Sequence, residues 1–546
     1  MKKHIYSIFI TLLIFANTTT QAQSWQWAKQ LGNDDPYFLE YSKMISDGTN
    51  YYLLGTFGGV FYTETDTLYG NSGINDMFII KYDANGNELW ARDIGGSFTG
   101  INSQYESING VFDSTNQCIY LSGEFTGTMF LNFSPFVELT SGGAEDIFLA
   151  KMDLDGNILW AKKMGSGYSD NAIINYRKAD HKIVMAGHVD STGYFNPYVI
   201  NGGGFIAIYD TSGNCEYVKN VTPRTPYNIE GFYITFMNKD ILLSGYSDAT
   251  LYSIDTIPFT PKGGYDGYFA RFDSIGNVKW AKQIGGSDFD AVGNIITISN
   301  SIFIMGSFGD TVIVDNDTLI TNGRDILLMR LDENGNTLWK QRMNATGITN
   351  YGGILRNINN SEFALSGTFS GSANFGSLSV TSNSADKDMF IVRFDTNGIC
   401  TGFNHFGTAS STDLAVNADE SIVSCGLFEG SVVIGQNSFT ALGVRDIYLA
   451  KHDAFTGIPN NQRVRNELYI YANPSTGSFR IRLPDEVKTL SDAVLSVHDH
   501  VGKEVGRFIL GDKSDSIFDI TNASSGLYIV RLTQGSKVYT GKLAVE

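Results

Sequence analysis

Apolar and polar positions along this chain fall into a unit that repeats. Residues Asp146 to Gly165, DIFLAKMDLDGNILWAKKMG, place an apolar run, a polar turn holding Asp153 and Gly156, and a second run carrying Lys162 and Lys163. The pattern returns at Asp76 to Gly95, Asp266 to Gly285 and Asp325 to Met343, with weaker copies beginning at Gly204, Asp388 and Asp446. An apolar run between turn signals predicts a strand buried on both faces. A run with adjacent lysines predicts a strand at a sheet edge. Each unit therefore reads as the outer hairpin of a larger sheet.

A second apolar pattern alternates with the first, a β-rich run interrupted by one glycine: Gly55, Gly123, Gly187, Gly245, Gly306, Gly367 and Gly426. Glycine kept inside a strand marks a bulge or a close backbone approach. With a further strand ahead of it, around Tyr105 to Phe112 in the second copy, the unit has four strands and a period near 60 residues. That is the sequence form of a β-propeller. The last copy stops after Gly457 without its edge strand, while Trp25 to Gly32 (WQWAKQLG) stands near the other end without a buried strand before it. Pairing the two closes the ring, so the expected fold is all-β, a seven-bladed propeller closed by the N-terminal strand and spanning residues 23–457.

The recurring Asp, Gly and Trp invite a metal or cofactor reading. The turn aspartates are Asp83, Asp153, Asp210, Asp273, Asp332, Asp395 and Asp453. A calcium loop would need a distal carboxylate at its twelfth position, and that register falls in the edge strand. An Asx-type turn with glycine at positive φ accounts for both Asp and Gly. No metal, cofactor or catalytic residue is assigned. The histidines lack metal spacing, and no nucleophile elbow or phosphate loop is present. Cys215 and Cys400 fall at equivalent positions of distant repeats, as do Cys118 and Cys425, and all four read as buried thiols, since a disulfide needs Cα atoms within about 7 Å.

Length, charge and termini then bound the picture. The 546 residues carry a formal charge of -18, which argues against nucleic acid as a partner. Lys2 and Lys3, the apolar run Ile5 to Ala16 and the small-residue site before Gln23 predict a signal peptide over 1–22, cleaved between Ala22 and Gln23. No later segment has the roughly 18 apolar residues of a spanning helix. After a polar connection at 458–466, alternating strands predict a small β-sandwich over 467–546.

These motifs resemble known families. The repeats are similar to the seven-bladed propeller repeat of bacterial exported proteins, best at Asp76 to Gly96 and Asp266 to Gly286. They are poorest in the third copy (Gly204, Tyr217) and the sixth (Gly402). The D-x-x-G-x-x-x-W spacing also resembles the blade-docking motif of quinone-dependent propeller dehydrogenases, where its role is structural. Asn473, Pro474, Gly477, Phe479, Gly502, Lys503, Gly526, Tyr528 and Lys542 resemble the type A sorting domain of the type IX secretion system, with Ala472 where that family usually has Pro. The resemblance implies Sec export, passage through the outer membrane by the type IX machinery, and removal of this domain. It further implies release, or attachment to surface lipopolysaccharide, outside a Gram-negative bacterium.

The expected function is a secreted or surface binding module for a glycan or protein ligand. The alternatives are a secreted glycan-active or other polymer-degrading enzyme and a purely structural surface component. The long segments between the glycine strand and the buried strand, such as Thr126 to Glu145 and Ser247 to Tyr265, share one face and are the candidate binding loops.

Overall fold

The computed structural model describes residues 25–33, 39–70, 76–94, 108–131, 137–223, 229–248, 253–315, 317–344, 353–376, 378–382, 387–452, 468–471, 475–482, 493–499, 503–510, 517–520, 523–534 and 537–545. The chain divides into two compact units, Met1–Thr456 and Gly457–Glu546. The predicted signal peptide with Ala22 and Gln23, the connection at 458–466, and Asp453 lie outside the described residues.

The first unit is a β-propeller. Among the described residues, pairing sorts its long strands into seven antiparallel sets of four. The second blade shows the plan. Inner strand Ile108–Asp113 pairs with glycine strand Cys118–Phe125, which pairs with buried strand Asp146–Asp153, which pairs with outer strand Ile158–Met164. The inner strands of the other blades are Leu39–Ser46, Asp170–Arg177, Ile229–Met237, Ala291–Ile298, Ile354–Asn357 and Asp413–Val416. Each lies beside the next, and Asp413–Val416 lies beside Leu39–Ser46. We number the blades 1 to 7 in that order.

The apolar runs sit where their pattern puts them. Asp76–Tyr82, apolar from Met77 to Ile80, is buried along its whole length. Every second side chain packs toward one neighbouring blade and the rest toward the other, so the core is a series of clusters between blades. Full burial of each Phe, Ile or Leu contributes about 1.5–3 kcal/mol.

The split seventh blade is joined as its pattern predicts. Trp25–Asn33 forms the outer strand beside Asn437–His452, with Trp27 opposite Lys451, Leu31 opposite Ile447 and Gly32 opposite Asp446. Side chains then bind blade 7 to blade 1. Met44 N donates to Asp413 Oδ2 (3.1 Å), Asn417 Nδ2 donates to Tyr51 OH (2.7 Å), and Ser46 Oγ meets Asn417 Oδ1.

The D-x-x-G-N turn and the Trp form a clasp between neighbours. In blade 1, Asp83 Oδ1 accepts the backbone N–H of Asn85 and Asn87, and Oδ2 accepts Asn87 Nδ2 (2.8 Å). Gly86 takes φ of 77°, open to glycine at little cost. The same three bonds recur at Asp153, Asp210, Asp273 and Asp332, so these carboxylates are spent on their own turns. The exposed glycine face receives the Trp of the preceding blade: Trp27 on Gly86, Trp90 on Gly156, Trp160 on Gly213, Trp280 on Gly335 and Trp339 on Gly398. A β-carbon on Gly86 would lie 2.6 Å from Trp27. Basic side chains of the buried strands reach the same turns, as Lys81 Nζ to Leu154 O (2.8 Å), Arg330 Nη1 to Thr396 O (3.0 Å) and Lys451 Nζ to Ala84 O (3.2 Å).

Blade 3 lacks both groups, with Ile208 in place of the base and Tyr217 in place of Trp. Its inner strand substitutes for them. Arg177, 2% exposed, donates through Nη1 to Lys239 O and Ser274 O of blade 4, both at 3.0 Å. Asp180 holds it through a pair of bonds to Nε (2.7 Å) and Nη2 (3.1 Å).

The long segments between glycine and buried strands are β-hairpins. Thr126 to Glu145 carries Thr128–Leu131 paired with Val137–Thr140, and Ser247 to Tyr265 carries Ser253–Ile254 paired with Ile257–Pro258. In blades 5 and 7 the hairpin continues the blade itself, as Ser301–Val314 with Asp317–Leu331 and Ile422–Ile434 with Asn437–His452. One face of each is buried, through residues such as Phe61, Met129, Phe195 and Phe375. Several join the preceding blade: Gly32 pairs with Tyr62, Gly165 with Tyr194, and Gly285 with Ile313. These hairpins therefore cover the seams between blades. No disulfide joins Cys118, Cys215, Cys400 or Cys425; the first, second and fourth are buried and Cys400 is half-buried.

The second unit has two sheets, one of Tyr469–Tyr471, Ser478–Arg482 and Phe518–Asp519 and one of Glu504–Ile509, Val494–His498, Gly526–Gln534 and Lys537–Val545. Phe479, Leu495, Val497, Phe518, Val530 and Leu543 fill the space between them.

Candidate functional site

The inner strands of all seven blades surround a channel of about 1160 Å³. Its charged lining groups are Lys43, Glu124, Glu145, Arg356 and Asp413, set among amides (Asn109, Asn171, Asn175, Asn357) and aliphatic side chains. An inner strand is an edge strand, so its outward N–H and C=O groups need partners. From blade 3 round to blade 7, side chains supply several. Asn175 Nδ2 donates to Ile234 O (2.7 Å), Thr297 Oγ1 to Phe236 O (2.9 Å), Asn357 Nδ2 to Thr297 O (2.8 Å) and Arg356 Nε to Leu414 O (3.1 Å). Between the inner strands of blades 1, 2 and 3, no such bond joins the described residues.

The mouth on the hairpin face holds an aromatic cluster. Tyr246, which lines the channel, lies 5.3 Å from Phe289 and 6.0 Å from Tyr265 between ring centroids, and Tyr265 lies 4.8 Å from Phe289. The Arg324 guanidinium sits 5.0 Å over the Phe289 ring. All three residues are half-buried.

A second set of polar groups lies between blades. The leading aspartates of the buried strands are themselves buried: Asp146 Oδ2 accepts Gly142 N (2.7 Å) and pairs with Lys163, Asp266 Oδ2 accepts Lys262 N and Gln283 Nε2 (each 2.7 Å), and Asp388 Oδ2 meets His405 Nδ1 (2.9 Å). Asp170 and Asp290 each stand 24 residues beyond such an aspartate (170 minus 146, 290 minus 266), at or just before an inner strand. Burial raises Asp290 to about 7, with Asp266 and Asp288 adding like charge against hydrogen bonds from Gly286 and Gly309. Asp170 rises to about 6 through burial, opposed by hydrogen bonds from Ser166 and Asp190 and assisted by Asp146. His452 is fully buried between blades 6 and 7, beside Asn404 and Ser424, and burial lowers it to about 3.

These shifts act in opposite directions on stability. A carboxyl raised in the folded state binds its proton there first, so its buried charge is a penalty that fades as pH falls through 7 toward the ordinary value near 3.9. A histidine held neutral loses stability once the unfolded chain can protonate, below about 6.5. From pH 8 to 6.5 the gain from the two carboxyls exceeds the loss that begins at His452, so these groups together raise the melting temperature over that interval. Asp290→Asn raises the melting temperature most at pH 8 and less at pH 5, and the gain disappears only near pH 4, where the unfolded carboxyl is protonated too. A variant no more stable than the parent at pH 8 would contradict the assignment.

The residues singled out from sequence fall in several places. The six described turn aspartates, Asp83, Asp153, Asp210, Asp273, Asp332 and Asp395, lie at the blade face opposite the hairpins. Among the described residues no group of three or more His, Cys, Asp or Glu is placed to hold a metal ion. Of the sorting-motif residues, Gly477 turns the chain at φ of 102°, Phe479 is 1% exposed, and Tyr528 OH donates to Ser524 O (2.6 Å). Lys503 closes a turn on Asp499, and Lys542 lies opposite Ile529. Asn473, Pro474 and Gly502 lie outside the described residues. The channel amides and the Tyr246 cluster carried no sequence signal, because strand periodicity does not tell which edge of a sheet faces an axis.

Residues 469–546 match the family model described as Secretion system C-terminal sorting domain. That unit directs export by the type IX secretion system, to the cell surface or the medium, and its partner is the secretion machinery. No curated protein matches the chain. Similar solved structures include the WD40 β-propeller domain of Doa1, with 9% identity over 79% of this chain and 98% of that one and a TM-score of 0.40. The propeller of Dos1 has 10% identity, coverage of 79% and 95%, and a TM-score of 0.39. A member of the duf4221 family from Bacteroides vulgatus atcc 8482 has 12% identity, coverage of 63% and 91%, and a TM-score of 0.29. Among the described residues no helix is long and apolar enough to cross a membrane.

Proposed function

We propose that this chain is an extracellular binding module in which a ring of seven blades, residues 23–457, takes a glycan or protein ligand at the hairpin-side mouth of its channel. Residues 1–22 serve as the signal peptide, 458–466 as the connection, and 467–546 as a sorting domain removed on export. Lipopolysaccharide is the anchor if the product stays at the surface. The observation that carries the reading is the Tyr246–Tyr265–Phe289 cluster at the channel mouth, since ligand sites pair apolar ring faces with a few convergent polar groups.

The test is a glycan array and pull-down with the full chain, followed by titration of whatever is retained. Tyr246→Ala is expected to weaken that binding at least tenfold, because stacked rings carry much of such affinity. Binding indifferent to Tyr246→Ala would overturn the channel reading. Turnover of a retained polymer, seen as new reducing ends, would overturn binding as the sole activity.

A further inference from the structure

We propose that the channel receives a saccharide bearing a carboxylate, a uronic acid unit, and that Lys43 is the group that takes the acid. This rests on the binding reading above and names its ligand class. Of the five charged side chains lining the channel, four are already engaged. Arg356 Nη2 and Asp413 Oδ1 pair at 2.5 Å, Asp413 Oδ2 accepts Met44 N (3.1 Å), and Arg356 Nε is committed to Leu414 O. Glu145 accepts the Ser169 hydroxyl, and Glu124 also has a partner. Lys43 has no ion pair or hydrogen bond to its side chain among the described residues, although Asp413 stands at the same level on the neighbouring strand. It is half-buried there. An ammonium held in a cleft with no counter-charge in contact among the described residues is an unmet electrostatic demand, and a ligand carboxylate meets it.

The neighbouring groups specify the rest of the ligand. Asn109 lies at the level of Lys43, since each pairs with the residue just before its blade's glycine, and Asn171 stands nearer the mouth in the next blade. Both amides line the channel without a side-chain partner among the described residues, in the sector where no side chain of one inner strand bonds the backbone of the next among the described residues. Each offers a donor and an acceptor, the complement of vicinal hydroxyls. Phe112 and Tyr246 line the same space and supply ring faces for the C–H side of a pyranose. An inorganic anion would use Lys43 and leave the amides idle; a neutral sugar would use the amides and leave Lys43 idle.

The test compares a galacturonic acid tetramer with its fully methyl-esterified counterpart by isothermal titration against the full chain. The acid form is expected to bind at least tenfold more tightly, and the preference to shrink in 0.5 M salt, as about one engaged charge requires. Lys43→Gln is expected to abolish the preference, Lys43→Arg to keep it, and Asn109→Ala to weaken both forms several-fold. Retention of the preference in Lys43→Gln, or equal binding of acid and ester by the parent, would overturn the ligand class and leave the channel reading standing. Failure of both forms to bind at millimolar concentration would also overturn it. A melting curve of each variant verifies folding, and the Lys43→Arg result decides the matter if Lys43→Gln is unstable.

Discussion

Deletion of residues 24–32 is expected to lower the melting temperature of the propeller by roughly 10 °C or more. The deletion removes the whole register against Asn437–His452 and the buried Leu31 side chain. It also strips the Trp27 indole from Gly86 and its N–H from Ala84 O (3.3 Å), and it exposes an edge at which Lys451 and Asp446 lose their neighbours. A synthetic peptide of that sequence, added in excess, is expected to restore part of the loss by mass action. An unchanged melt would show that blade 7 holds to blade 1 without its outer strand. Differential scanning calorimetry of parent, deletion and deletion plus peptide makes the comparison.

Gly426→Ala has the next largest expected effect, a destabilisation of about 3 kcal/mol from forced overpacking. A β-carbon there would stand 1.7 Å from the carbonyl oxygen of Ser410 in the segment before the inner strand, which must then move. Gly187 is held in the same way, 2.0 Å from Asn171 O, and Gly306 2.6 Å from Ala291 O. These distances explain why that position stays bare in the glycine strands of blades 3, 5 and 7. Gly167→Ala is the control, because that glycine is exposed and a β-carbon on it meets nothing within 4 Å. Denaturant unfolding of both variants gives the comparison, and equal midpoints would refute the close approach.

Much of this architecture is legible in the chain because the repeat places the same physical demand in the same place seven times. Asp146–Asp153 announces its position by the unbroken apolar run Ile147 to Ala150 on both faces, and Lys162 and Lys163 announce theirs by being unburiable. The split blade follows from counting what each end lacks. Other features depend on geometry that no local pattern encodes. Arg177 reads as an ordinary polar residue until Ile208 and Tyr217 leave a carbonyl of the next blade unserved. The hairpins within Thr126 to Glu145 and Ser247 to Tyr265 are short and half-polar, so they resemble loops until their buried faces are seen. The channel residues are hidden more deeply. Lys43, Asn109 and Asn171 sit on strands whose open edge, rather than either face, defines the site, and period-two alternation describes faces alone.

The pairing of Trp25–Asn33 with Asn437–His452 is expected to form last during folding. Its partners are separated by more than 400 positions, as Gly32 from Asp446, so this is the contact of longest range among the strand pairings. The entropy of closing so large a loop grows only logarithmically with length, but contacts of this kind come late. Blades 1 to 6 can assemble by local pairing while the first strand waits as a solitary ribbon. A circular permutant that moves residues 25–33 to follow His452 through a tight Asp-Gly turn would convert the last step into a hairpin. Its refolding should be faster than that of the parent at similar final stability.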